Sequence, residues 1–327
     1  MKQDQPFDAV VLMAFGGPGG MNDVRPFLMN VVSERRVPSE RLEELARRYE
    51  LFGGVSPMTQ ITLRQAAGLT ERLKSQGINL PVHVGMRHWR PYIQDALTAI
   101  AASGGRRAIG FITAAHHSYV SCTQYKKHVA RARRALLQAS QPDVAVTYVD
   151  SWFDHELLIR AWAQQVHKAL DKLEPTLRHE ARLVFTAHSI PLHIAQACQY
   201  RQQLAESARL VAQAVGRTDW ALVYQSRSGP PSEPWLEPEV CAYLMAERAR
   251  DLRAAVLVPI GFISDHVEVL YDLDHEAARL CRQHNLPMVR AESLNDHPLL
   301  LDMMAEVVAH TWHHHRDHLA LPVYCPL

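Results

Sequence analysis

Residues 182–191 read RLVFTAHSIP, an apolar run (Leu183, Val184, Phe185) that climbs into Thr186, Ala187, His188 and Ser189 before Pro191 stops it. The run reads as a buried parallel strand that delivers a histidine at its carboxyl end. Ligands of open α/β sheets sit outside the carboxyl ends of the strands, so chemistry is expected there. Ser189 also reads as a helix cap beside an incidental His188, so the decision rests on the rest of the chain.

Outward from this stretch the same rhythm recurs. Short Val- and Ile-rich runs at 9–15, 81–86, 107–113 and 144–149 read as strands, as do 182–189, 220–226, 254–262 and 287–292 in the second half. Amphipathic patterns lie between them, at 39–52, 62–77 and 158–173 among others. Apolar strands alternating with helices predict parallel sheets covered on both faces. The fold class is therefore α/β, with two similar four-stranded halves and a cleft between them. The junction is expected within 153–161, giving an N-terminal domain of residues 1–157 and a C-terminal domain of residues 158–327. A last helix at 298–318 is expected to pack back on the first domain.

Composition excludes several classes. The chain has 327 residues and a formal net charge of +1, which gives no general attraction to nucleic acid or membrane surfaces. The opening MKQDQPFDAV lacks a signal-peptide pattern, and no apolar stretch reaches the roughly 18–20 residues of a spanning helix. Five scattered cysteines suit reduced thiols rather than a disulfide framework. A cytoplasmic enzyme is the expectation, monomeric because no exposed apolar helix face stands out in the sequence. The unusual count is 19 histidines.

Five segments carry candidate chemistry. VLMAFGGPGG (11–20) ends the first strand in a glycine turn that is neither GxGxxG nor a Walker loop, so a nucleotide site is rejected. In YELFGGVSP (49–57), Gly53 reads as a helix C′ residue and Ser56-Pro57 as the start of the next helix. TAAHHSYVSCTQYKKH (113–128) follows a strand; His116 and His117 point different ways, so one facing the cleft is the expectation. In VYQSRSGPPSEPWLEPEV (223–240), Trp235 reads as a ligand platform or as part of a local cluster. VPIGFISDHVEVLYDLDHE (258–276) is the most informative: a strand ending at Gly261-Phe262, a cap at Ser264 or Asp265, then Glu268, Asp272 and Glu276 four apart on one helix face. Like charges at that spacing repel, so this row, with His266 and His275 near it, suits a hydrated divalent cation that is passed along.

With these residues in place, the chain resembles the ferrochelatases, and among them the coproporphyrin ferrochelatases of actinobacteria. The motifs appear in order as FGGP, FGGVSP, SCTQY, TAHSIP, YQSRSGPPSEPWLEP and PIGFISDHVEVLYDLD, between about Ala9 and Val308. The resemblance implies two Rossmann-like domains and insertion of Fe²⁺, as substrate, into coproporphyrin III, a step of haem biosynthesis. Protoporphyrin IX is the alternative substrate, and a non-catalytic haem- or metal-binding protein the alternative class. The resemblance places His188 and Glu268 at the porphyrin centre as catalytic and metal-handling groups, with Asp272 and Glu276 passing metal inward. It makes Arg48, Tyr49, Ser56 and Tyr125 substrate contacts, and puts Phe15 where some relatives carry an iron-ligating tyrosine. Arg35, Arg36, Arg47 and Arg48 are candidates for the propionates. Relatives that hold a [2Fe–2S] cluster use four cysteines; here only Cys122 and Cys325 stand near the motif positions, so no cluster is expected. The implied partners are the porphyrin and a downstream haem-pathway enzyme. The His-rich stretch HTWHHHRDH (310–318) reads as local histidine enrichment with some capacity for metal.

Overall fold

A computed structural model describes residues 5–33, 38–230 and 232–317. Eight strands form among the described residues: β1 (Ala9–Ala14), β2 (Val82–Met86), β3 (Arg107–Ile112), β4 (Ala145–Tyr148), β5 (Ala181–His188), β6 (Trp220–Gln225), β7 (Ala254–Val258) and β8 (Met288–Arg290). They build two four-stranded sheets, ordered β2-β1-β3-β4 and β6-β5-β7-β8. Every pairing within them is parallel. The apolar runs explain this, since a parallel strand covered on both faces has no solvent side to keep polar. Val10 to Met13 of β1, Leu183 to Phe185 of β5 and Val256 to Val258 of β7 are fully buried.

The chain forms two compact units. The first comprises residues up to Thr113, Val120–Ser151 and the chain from Leu300 onward; the second comprises Ala114–Tyr119 and Trp152–Leu299. In the first unit, helix Met58–Ser75 covers the sheet with Leu69 and Leu73, both fully buried. The helix Pro298–Asp317 lies against it from Leu300 on. Gly68 makes that approach possible, because a Cβ there would stand 2.6 Å from Leu301 Cδ1. Arg72 Nε donates to Asp302 across the same seam. In the second unit, Trp162 of helix Glu156–Leu170 is buried in the core, and that helix packs on β7 and β8.

Two local readings are corrected. The strand expected to run to Gly261-Phe262 ends at Val258, because Pro259 has no N–H to give the ladder and Phe262 N–H turns back to its carbonyl at 2.9 Å. The first helix after β1 also exposes Met21 and Met29, and Leu51 and Val55 are exposed in the glycine turn, so apolar surface does stand out on this unit. No helix among the described residues is long and apolar enough to cross a membrane.

Candidate active site

In a sheet ordered β6-β5-β7-β8, consecutive crossovers leave in opposite directions from β5, and the crevice lies between the carboxyl ends of β5 and β7. His188 is the last residue of β5, and the segment after β7 brings Glu268 to it. His188 Nε2 stands 3.8 Å from Glu268 Oε2, and His266 Nε2 stands 3.7 Å from the same oxygen. One carboxylate oxygen thus sits between two imidazoles, with the His188 side chain 30% and Glu268 41% exposed. The other His188 nitrogen, Nδ1, is hydrogen-bonded to the Ser189 carbonyl. A carbonyl only accepts, so Nδ1 carries a proton, and Nε2 is the ring nitrogen turned to the carboxylate.

The backbone under His188 is held from several sides. The buried Tyr200 hydroxyl donates to the His188 carbonyl at 3.1 Å, and Ser189 Oγ donates to the Leu236 carbonyl at 2.8 Å. Gly261 N–H donates to Thr186 O at 3.1 Å, tying the turn after β7 to the strand that carries the histidine. A Cβ on Gly261 would lie 2.6 Å from Ala187 Cβ and 2.8 Å from its Cα. Gly261→Ala must therefore push the two strand ends apart. We expect a loss of about 1–3 kcal/mol of stability, read from the denaturation midpoint, together with reduced turnover because His188 is the next residue. An unchanged midpoint would show that the turn yields freely.

The acid row takes a form the spacing did not reveal. Val267–Val269 opens a short helical turn that passes into a π-helix over Leu270–Ala277, a wider winding often found at functional sites. Asp272 is not a hydrated group on an open face: it is 5% exposed and accepts hydrogen bonds from the Ser226 hydroxyl and from Gln225 Nε2 (3.4 Å). Gln225 pairs with His188 in the β5–β6 register, and Ser226 follows it with φ 60°, a left-handed conformation uncommon outside glycine. Glu276 is half-buried and lies close enough to Cys241 to help raise its pKa. The cap is also reassigned. His266 precedes the turn without a side-chain cap bond. Asp265 instead pairs with Arg290 at 3.0 Å and accepts from Asn295 Nδ2 at 3.0 Å. No group of three or more His, Cys, Asp or Glu set to hold a metal ion occurs among the described residues.

The remaining candidates lie on the first unit. Phe15 follows β1 and packs on Phe27 and His88, at ring separations of 6.2 and 4.5 Å. Tyr49 joins the same aromatic group, 5.7 Å from Phe27. Arg48 donates to Glu44 at 2.9 Å, and Arg41 reaches the same carboxylate. Ser56 is buried against Gly17, where a Cβ would stand 2.5 Å from its own, and its N–H donates to the Pro18 carbonyl at 2.9 Å. The two glycine turns therefore fold onto each other. Tyr125 is buried beneath the Arg87 guanidinium (5.9 Å), and burial pushes its phenol well above the ordinary range. Arg47 is exposed, whereas Arg35, Arg36 and Cys325 lie outside the described residues.

Three further readings are resolved locally. His116 does not open onto a ligand surface: it is buried, bonded through Nε2 to Ser207 Oγ at 3.0 Å, and burial lowers its pKa to about 3. His117 is exposed, its N–H donating to Gln203 at 2.6 Å. Trp235 is pinned in a local cluster, with Nε1 on Glu233 at 3.0 Å and Gly229 against its ring. The sulfur donors do not fit a [2Fe–2S] cluster. Two of the five cysteines, Cys241 and Cys281, pack in the core of the second unit, and burial pushes their thiols up to about 12 and about 11. The three that remain fall short of the four ligands such a cluster takes.

Two parallel α/β units with an imidazole–carboxylate pair at a sheet switch point have the architecture of the tetrapyrrole chelatases. The sirohydrochlorin chelatase SirB of Bacillus subtilis, solved with cobalt, superposes with a TM-score of 0.55 over 95% of this chain and 98% of its own, at 11% identity. That likeness concerns the fold. At the level of sequence, the ferrochelatase family model matches residues 7–312. A ferrochelatase of Rhodopirellula baltica is 43% identical over 94% of this chain and 87% of its own length. The coproporphyrin III ferrochelatases of Mycolicibacterium smegmatis and Mycobacterium tuberculosis are 41% and 44% identical, covering 94% and 89% of this chain and 90% and 82% of theirs. The chain belongs to the ferrochelatase family and is a metal chelatase, a lyase.

Tyr200, Gln225, Ser226 and the Asp265–Arg290–Asn295 group escaped the sequence reading. Gln225 and Ser226 had a usable signal, since the ends of neighbouring parallel strands lie in one layer and β6 ends beside β5. The others depend on contacts between distant residues that no spacing encodes.

Proposed function

We propose that the protein inserts Fe²⁺ into coproporphyrin III to give the iron-coproporphyrin of haem biosynthesis, acting in the cytoplasm and handing its product to a later enzyme of the pathway. The observation that carries the chemistry is the His188–Glu268 pair, with Nε2 3.8 Å from the carboxylate. A free porphyrin keeps two N–H protons and its lone pairs in the ring plane, so insertion needs a base and a bent macrocycle. His188 Nε2 takes the pyrrole protons, a contribution of about 10²–10⁴-fold for a positioned base. Glu268, an anionic oxygen beside imidazole nitrogen, holds Fe²⁺ at the ring face, and Asp272 and Glu276 extend its approach. The bend draws on binding of the rest of the ring, about 1–5 kcal/mol of strain. Arg48, Tyr49, Ser56 and Tyr125 serve the porphyrin edge, and Phe15, which has no oxygen, leaves the iron without an axial ligand from that position.

Coproporphyrin is favoured over protoporphyrin by the names of the mycobacterial relatives at 41–44% identity. The test is anaerobic: Fe²⁺ with coproporphyrin III or protoporphyrin IX, followed by the absorbance change from free base to metalloporphyrin. Faster turnover of coproporphyrin is the expected result. A preference for protoporphyrin would reverse the substrate assignment, and binding of both without insertion would make this a binding protein.

A further inference from the structure

The helix Pro298–Asp317 carries histidines at 310, 313, 314 and 315, and the structure divides them by role. His315 faces inward: Nδ1 lies 3.0 Å from the Thr311 carbonyl, and its ring packs 5.2 Å from Phe7. Burial of Met303, Met304, Val308 and Thr311 defines the same inner face. His310, His313 and His314 are exposed. His313 stands edge-on to its neighbour Trp312, 4.9 Å between ring centroids.

We propose that His310 and His314 form a second binding site, on the first unit, for one divalent transition-metal ion. Residues four apart on a helix have Cβ atoms about 5–6 Å apart on one face, so two imidazoles there reach a single ion. Asp150, which precedes the second unit in the chain, presents Oδ2 3.8 Å from His310 Nδ1. A carboxylate beside one ring nitrogen favours the tautomer whose other nitrogen binds metal, and it adds negative charge at the site. Side-chain exposure of 72% for His310 leaves it free to turn onto the ion with Asp150 still beside Nδ1. The site asks for two protein donors, with water completing the shell, so it needs no preformed group of three. Nitrogen donors select nickel, zinc, copper or cobalt over magnesium and calcium, which prefer oxygen. The site shares no residue with the His188–Glu268 pair and does not depend on the reading given to that pair.

The experiment titrates the full chain, free of any purification tag, with Ni²⁺ by calorimetry. A His188→Ala background removes the imidazole of the proposed catalytic pair. That variant is expected to keep one Ni²⁺ site. Adding His310→Ala or His314→Ala should weaken it at least about tenfold, as for loss of a metal-supporting group, while the thermal midpoint stays unchanged. Asp150→Asn should weaken it less. In the otherwise unaltered chain, the His310→Ala and His314→Ala exchanges should leave turnover at saturating iron intact. Ni²⁺ binding that survives both exchanges together, or that falls only with His313→Ala or with His188→Ala alone, would overturn the proposal.

Discussion

His188→Ala is expected to abolish metal insertion while the protein still folds and still binds porphyrin. The side chain is 30% exposed and hydrogen-bonds through Nδ1 to its neighbour's carbonyl, so alanine leaves no cavity in the core. The stability change should stay within about 0.5–1 kcal/mol. Turnover loses the base, and a fall of at least about 10²–10⁴-fold follows. Anaerobic metallation assays with porphyrin binding measured in parallel separate the two effects. Near-normal turnover in the variant would remove His188 from the chemistry.

Glu268→Gln should act on the metal rather than on the porphyrin. The amide keeps the shape of the side chain and removes the charge that stands between the Nε2 atoms of His188 and His266. A loss of about 10²-fold in kcat/KM for Fe²⁺, equivalent to about 2.7 kcal/mol of transition-state stabilisation, is expected. Porphyrin affinity should hardly change. Glu268→Asp, which keeps the charge but withdraws it by one methylene, should recover part of the loss. If the glutamine variant keeps its KM for iron and loses only porphyrin affinity, Glu268 is a substrate contact instead.

The strands were legible because a parallel strand buried on both faces must be written as a continuous apolar run, and all eight runs carry strands within a few residues. His188 could be singled out because it ends such a run. Glu268 was reached through its acid row, but its pairing with His188 depended on resemblance, since the distance between them is closed only by the register of β5 with β7. The state of Asp272 was not legible. Acids four apart fit an exposed α-helix and a partly buried π-helix equally well. What buries this one is Ser226 in a left-handed conformation at the end of a neighbouring strand. The strand after Ala254 was read too long because Ile260, Gly261 and Phe262 continue its apolar character while Pro259 interrupts its hydrogen bonding. Position after a strand does not by itself mark a site: His116 follows a strand as His188 ends one, yet it turns into the core onto Ser207.

The first unit is built from pieces that do not adjoin in the chain: the helix from Leu300 closes it after the whole of Trp152–Leu299 has gone to the second unit. On the ribosome, where domains otherwise fold in order of emergence, the second unit is complete in the nascent chain before the first has its last helix. The partner surfaces of Leu301 and Asp302, at Gly68 and Arg72, therefore wait uncovered through more than half of synthesis. Vectorial synthesis and assembly thus run in opposite orders here, and the helix that completes the unit begun first leaves the exit tunnel only after the whole of the second unit.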